Sequence, residues 1–168
     1  MRPMTTDDLK AAFAGESQAH MRYMIFADKA EKEGHADIAR LFRAIAFAER
    51  VHATNHFRAL DGINGTTDNL GVAIGGETYE VDEMYPAFLA VAQLQGEKRA
   101  QISMNYALET EKVHAKMYSA AKEALASGQE PKIGRLVVCE VCGYTIEGEV
   151  PDRCPICNAP KQSLRIFE

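Results

Sequence analysis

Glu49-Arg50-Val51-His52 and Glu111-Lys112-Val113-His114 are two copies of one pattern, Glu-x-x-His, set 62 residues apart. A helix turns about 100° per residue, so an offset of three returns both side chains to one face. An acid precedes each copy at nearly the same interval. Glu16 lies 33 residues before Glu49, and Glu77, with Glu80 behind it, lies 34 before Glu111. Two helices carrying Glu-x-x-His, each facing a helix that presents a carboxylate, make a site for a pair of metal ions inside a four-helix bundle.

The pattern around these clusters is helical. Residues 6–33 read as one long helix, with Leu9, Phe13, Met21, Met24, Ile25 and Ala27 on an apolar side and Asp7 and Asp8 at the positive end. Gly34 breaks it, and a second helix runs from about Ala36 to Leu60 to close an antiparallel hairpin. Residues 61–68 are dense in turn formers and read as a crossover loop. A third helix is expected from Asp68, as N-cap, to about Gln95, bent at Pro86 because proline lacks a backbone donor. Gly96 permits a turn into a fourth helix, about Glu97 to Ser127. The architecture expected is mainly α: residues 1–130 a four-helix bundle, 127–134 a linker, and 135–168 a small metal-binding domain.

Five glutamates (16, 49, 77, 80 and 111) and two histidines (52 and 114) can all face the bundle axis. Without metal they would repel one another, and their pKa values would rise until several held protons. Two divalent cations remove that conflict. Glutamate oxygen with imidazole nitrogen suits iron or manganese. His20 and His56 share faces with ligand candidates but have no glutamate three residues before them, so they are read as lying nearer the helix surfaces. His35 falls at the hairpin turn and reads as solvated. Glu109 is about 160° around the helix from Glu111 and should point elsewhere.

All four cysteines fall in the tail, as Cys139-Glu-Val-Cys142-Gly and Cys154-Pro-Ile-Cys157, with eleven residues between the pairs. Two such knuckles make a tetrahedral sulfur site for zinc or a single iron. Gly143, and the residue after each second cysteine, let the backbone curl so that amide hydrogens point at the sulfurs. The segment is too short for an apolar core of its own, so metal and docking must hold it. Confinement of cysteine to these pairs argues against disulfides.

The chain has 168 residues and a formal net charge of −5, which offers no basic patch for nucleic acid. No apolar run approaches the roughly 20 residues of a membrane span. The polar start, Met1-Arg-Pro-Met-Thr-Thr, does not read as a secretion signal, so a cytoplasmic location is expected.

Ala14-Gly-Glu16-Ser-Gln, Glu49-x-x-His52, Gly76-Glu77-Thr-Tyr-Glu80, Met84-Tyr-Pro86, Glu111-x-x-His114 and Cys154-Pro-Ile-Cys-Asn-Ala-Pro-Lys161 stand in the order of the rubrerythrin pattern. The chain resembles that family over nearly its full length. The resemblance implies a ferritin-like four-helix bundle with a C-terminal rubredoxin-like domain, two non-haem irons in the bundle and one iron in the four-cysteine site. It implies a cytosolic peroxidase that reduces hydrogen peroxide to water in defence against oxidative stress.

Carried onto these positions, Glu49 and Glu111 would bridge the irons. Glu16 would be terminal on one, and Glu77 with His114 on the other. His52 and Glu80 would exchange on the first iron, histidine in the reduced state and glutamate in the oxidised, since an added anion offsets the extra positive charge. Tyr23 and Tyr85 would donate hydrogen bonds to ligand carboxylates. Cys139, Cys142, Cys154 and Cys157 would hold the third iron. The resemblance also implies a head-to-tail homodimer, the tail of one subunit near the diiron site of the other, and an electron donor that is an NAD(P)H-dependent reductase, a rubredoxin or both. Departures are the short spacing between knuckles, the absence of tryptophan and Thr110 beside Glu111. Two other functions share parts of the pattern: iron oxidation and storage, as in ferritins, and simple electron transfer.

Overall fold

The computed structural model describes residues 1–168 and divides into two compact units, Met1–Asn64 and Gly65–Glu168.

The first unit is a helical hairpin of α1 (Pro3–Lys32) and α2 (Ala36–Ala59). Pro3 opens α1, where its missing N–H has no intrahelical partner to lose. Lys29 and Lys32 lie in the last turn, at the negative helix end. Gly34 supplies the left-handed turn at φ +83°, and the His35 N–H reaches back to the Ala30 carbonyl. The seam is built from alanines: Ala19, Ala27 and Ala30 of α1 and Ala39, Ala46 and Ala53 of α2 are buried. Such small side chains let two long helices lie close together while larger apolar groups flank the contact. Phe13 stacks on Phe57 at 4.9 Å, and Phe26 meets Phe42 edge-on at 5.6 Å.

The second unit begins with α3 (Thr66–Tyr79), which starts three residues earlier than the sequence suggests. Gly65 stands at the N-cap, and Asp68 falls in the first turn rather than capping it. The connection from α2 is thereby shortened to residues 60–65. The expected bend at Pro86 takes a specific form. Glu80–Met84 is a π-helical turn in which the Tyr85 N–H reaches the Glu80 carbonyl, and α4 (Tyr85–Leu94) follows with Pro86 in its first turn. The wider turn carries the chain past the missing donor of Pro86 without ending the helix. Gly96, at φ +70°, leads into α5 (Lys98–Ala126), which packs antiparallel to α3 and α4. Thr110, only 3% exposed, satisfies its hydroxyl by donating to the Tyr106 carbonyl.

The tail belongs to this second unit. It is a three-stranded antiparallel sheet in the order β2-β1-β3: β1 (Leu136–Cys139), β2 (Thr145–Glu147) and β3 (Leu164–Phe167). Its core is small, as its length dictates: Val137, Cys139, Cys154, Ala159 and Leu164.

Candidate metal centres

Helix pitch alone places each histidine against the glutamate one turn before it. The His52 Nδ1 lies 2.9 Å from Glu49 Oε2, and the His114 Nδ1 lies 2.7 Å from Glu111 Oε2. Packing then adds the acid of the facing helix. In the α1–α2 hairpin, Glu16 joins Glu49 and His52; in the second unit, Glu77 joins Glu111 and His114. In each triad one ligand atom per residue lies within 4.8 Å of the others. Ligand atoms about 2.1 Å from a common ion sit about 3 Å apart when adjacent and about 4 Å apart when opposite. The 2.7 Å and 3.9 Å separations of His114 Nδ1 from Glu111 and Glu77 fit that shell.

The electrostatics of the second triad show what a cation would relieve. The Glu77 carboxyl is pushed up to about 7 by burial, by a hydrogen bond it shares with Glu111, and by the charges of Glu111 and Glu80. Burial and the Glu111 charge also raise Glu80, against the opposing pull of His114. Tyr85 is raised by burial and by Glu80, Glu111 and Glu77, so its phenol keeps its proton and can donate. Glu80 opens the π-helical turn and Tyr85 follows it, and the three acids and the tyrosine form one electrostatic cluster. In the first unit, the Tyr23 ring lies against Phe26 and Phe42, 6.4 and 6.1 Å away.

The remaining histidines and Glu109 do other things. His20 Nδ1 is bonded to the Ala46 carbonyl at 2.8 Å, tying α1 to α2, and His35 precedes the first turn of α2. Glu109 pairs with Lys112 at 2.6 Å, away from Glu111.

In the tail the four sulfurs converge. Cys139 Sγ lies 3.6 Å from Cys157 Sγ, and Cys142 Sγ 3.5 Å from Cys154 Sγ. A disulfide needs about 2.05 Å. Thiolates about 2.3 Å from a central ion would stand about 3.8 Å apart, close to what is seen. The two knuckles turn alike. Gly143 at φ +82° donates its N–H to the Cys139 carbonyl, and Asn158 at φ +60° donates to the Cys154 carbonyl. Burial raises the Cys154 thiol, but the Cys157 and Ile156 amides aimed at its sulfur outweigh this and bring it down to about 7. Cys142 is driven well above the ordinary thiol range by burial, which the Tyr144 amide offsets only in part.

One contact has no signature in the sequence. The second ring nitrogen of His114, Nε2, lies 2.8 Å from the Thr145 hydroxyl, and that hydroxyl donates to the Gly143 carbonyl at 3.2 Å. A histidine that binds metal through Nδ1 carries its proton on Nε2, and Thr145 is the acceptor that holds it there. The chain from Cys142 through Gly143 and Thr145 to His114 thus joins the cysteine site to the second triad within one subunit.

The family model for Rubrerythrin matches residues 7–122, and that for the rubrerythrin rubredoxin-like domain matches residues 138–164. Rubrerythrin-2 of Clostridium acetobutylicum is 40% identical, covering 98% of this chain and 97% of its own. Nigerythrin of Nitratidesulfovibrio vulgaris is 34% identical, covering 97% and 86%. The solved structure described as the fully reduced, all-ferrous state of nigerythrin matches with a TM-score of 0.56 at 34% identity, over 97% of this chain and 86% of that one. The fold is therefore that of a ferritin-like domain followed by a rubredoxin-like one, with donors suited to two carboxylate-held irons and one thiolate-held iron. With both halves matched in order and the donor residues gathered as described, this chain belongs to the rubrerythrin family.

Proposed function

We propose that this protein is a peroxidase that reduces hydrogen peroxide to water in the cytoplasm, as a defence against oxidative stress, with electrons entering through the cysteine-held iron. The observation that carries this reading is the pair of matching Glu, Glu, His triads, one of them hydrogen-bonded to the tail. Domain limits of 1–130 and 135–168 go with it. When bound, the iron pair supplies two electrons and Lewis acidity to the O–O bond of peroxide.

The protein's own groups do the rest. Glu16, Glu49 and His52 hold one half of the donor set, and Glu77, Glu111 and His114 the other. Glu49 and Glu111 would be the two carboxylates shared between the ions. Glu80 stands beside the second triad, where burial and the Glu111 charge raise its carboxyl; added positive charge at the site would favour its anion, which would then exchange with His52. The Tyr85 phenol, kept protonated, donates to these carboxylates, and Tyr23 does the same from α1. Thr145 orients His114 and provides a bonded route from Cys142. That link favours electron delivery over iron storage, in which a tethered redox tail has no part. Reduced cysteines suit a cytoplasmic setting. The electron donor is a reductase using NADH or NADPH, a rubredoxin or both, and the working unit is a homodimer.

Glu111→Ala tests the reading. Peroxide turnover should collapse while the visible spectrum of the cysteine site survives. Undiminished turnover would overturn the assignment.

A further inference from the structure

We propose that Pro86 is a positioning residue: it pins the π-helical turn at Glu80–Met84, and the turn so placed puts Glu80 and Tyr85 on one face with Glu77 and Glu111. The proposal deepens the diiron reading above and rests on it for what that face does.

The geometry begins with a count. In an unbroken α-helix, residues five apart stand about 140° apart around the axis, so Glu80 and Tyr85 would face different ways. Tyr85 would also lie about 80° from Glu77, eight residues before it. Here the Tyr85 N–H is bonded to the Glu80 carbonyl, and a bond across five residues makes those two neighbours one turn apart. The turn absorbs one extra residue. Tyr85 then stands where the seventh residue after Glu77 would stand, about 20° from it. The same device keeps α4 in phase. Ala92 is 5% exposed, and its carbonyl accepts a hydrogen bond from Gln101 Nε2 of α5 at 2.9 Å. The charges of Glu80, Glu111 and Glu77 all act on the Tyr85 phenol, as that placement requires.

The extra residue alone does not fix where the wide turn lies. It could be absorbed at any point between Glu77 and Ala92 with both ends still in phase. Proline removes that freedom. In an α-helix the ring of residue 86 would collide with the carbonyl of Asp82, four residues back, and leave it without a donor. With the wide turn directly before it, Pro86 falls in the first turn of α4, where a missing N–H is tolerated. An α register across this position is disfavoured on the order of 100-fold relative to alanine. Little else holds the turn in place: none of its five residues is buried, and Glu80, Asp82 and Glu83 crowd it with like charge. Were the turn to move past Tyr85, Ala92 would keep its packing, but the phenol would swing about 100° away from the ligand face.

Pro86→Ala and a one-residue deletion test this together. In metal-free Pro86→Ala, a crystal structure should show the Tyr85 N–H released from the Glu80 carbonyl and bonded to that of Val81, with Ala92 still packed. Peroxide turnover of the iron-loaded variant should fall about 10- to 100-fold, the loss expected when a hydrogen bond to a charged group is removed. Adding Tyr85→Phe to it should cost nothing more, because both changes remove the same interaction. Deleting Asp82, an exposed residue of the turn, from the Pro86→Ala chain takes out the extra residue. An unbroken α-helix then sets Tyr85 four residues after Glu80, about 40° from it, and turnover should return to near the wild-type value. A proline that only stiffened the helix would not be rescued by a deletion. The proposal is overturned if metal-free Pro86→Ala keeps the bond from Tyr85 to Glu80, or if the deletion adds to the loss. If the wild-type protein turns over no peroxide, the peroxidase reading fails instead, and the metal-free structures still decide whether Pro86 sets the register.

Discussion

Thr145→Val removes one hydroxyl and almost nothing else. The side chain is 7% exposed and valine has nearly its shape, so the packing of β2 is kept. The His114 Nε2–H then faces a methyl group where it had an acceptor at 2.8 Å. Leaving such a donor unsatisfied costs about 1–3 kcal/mol. Loss of the partner that orients a metal-binding histidine typically weakens the metal by about 10- to 100-fold, or about 1.4–2.7 kcal/mol. The expected result is selective: one ferrous ion of the pair is weakened by that factor in an anaerobic titration against a competing chelator, while the other and the cysteine iron are unchanged. Stopped-flow absorbance should also show slower oxidation of the cysteine iron after peroxide is added, since the bonded route is cut. Thr145→Ser should restore both. Unchanged affinity together with an unchanged transfer rate in the valine variant would refute the role given to this hydroxyl.

Two further outcomes follow from the second unit. Glu77 has a carboxyl near 7 in the folded, metal-free protein, above its unfolded value, so the fold binds that proton more tightly than the unfolded chain does. Its stabilisation is complete below the unfolded value of 4.5 and lost as pH rises towards 7, amounting to at most about 3 kcal/mol before solvent screening reduces it. Urea melts of metal-free protein between pH 5 and 8 should show this decline, and Glu77→Gln should flatten it; parallel declines would contradict it. Gly143→Ala keeps open space around the new Cβ but forces alanine to φ +82°, at a cost of about 1–2 kcal/mol. The cysteine site should then lose metal to a chelator faster than wild type, and equal rates would show that the knuckle does not need its left-handed turn.

What could be read from residues alone was whatever local geometry controls. The three-residue step of Glu-x-x-His is one helical turn, so the close approach of His52 to Glu49 and of His114 to Glu111 followed from the pattern. The Cys-x-x-Cys knuckles are equally local, each closed by a backbone hydrogen bond four residues long. Helix limits were legible to within a few residues for the same reason. The π-helical turn was not. Pro86 announced a disturbance, but whether a helix answers with a kink or a wider turn depends on what packs against it. Asp68 looked like an N-cap, yet α3 begins before it.

The amino-acid order by itself determined the donor inventory and its helical phasing, because these depend only on neighbours within a turn. Tertiary structure decided three things that span many residues: which acid joins which Glu-x-x-His pair, the grip of Thr145 on His114 across 31 positions, and the true length of the connection at residues 60–65. Each turns on where separate helices and strands come to rest against one another. That is settled by packing, and no local spacing encodes it.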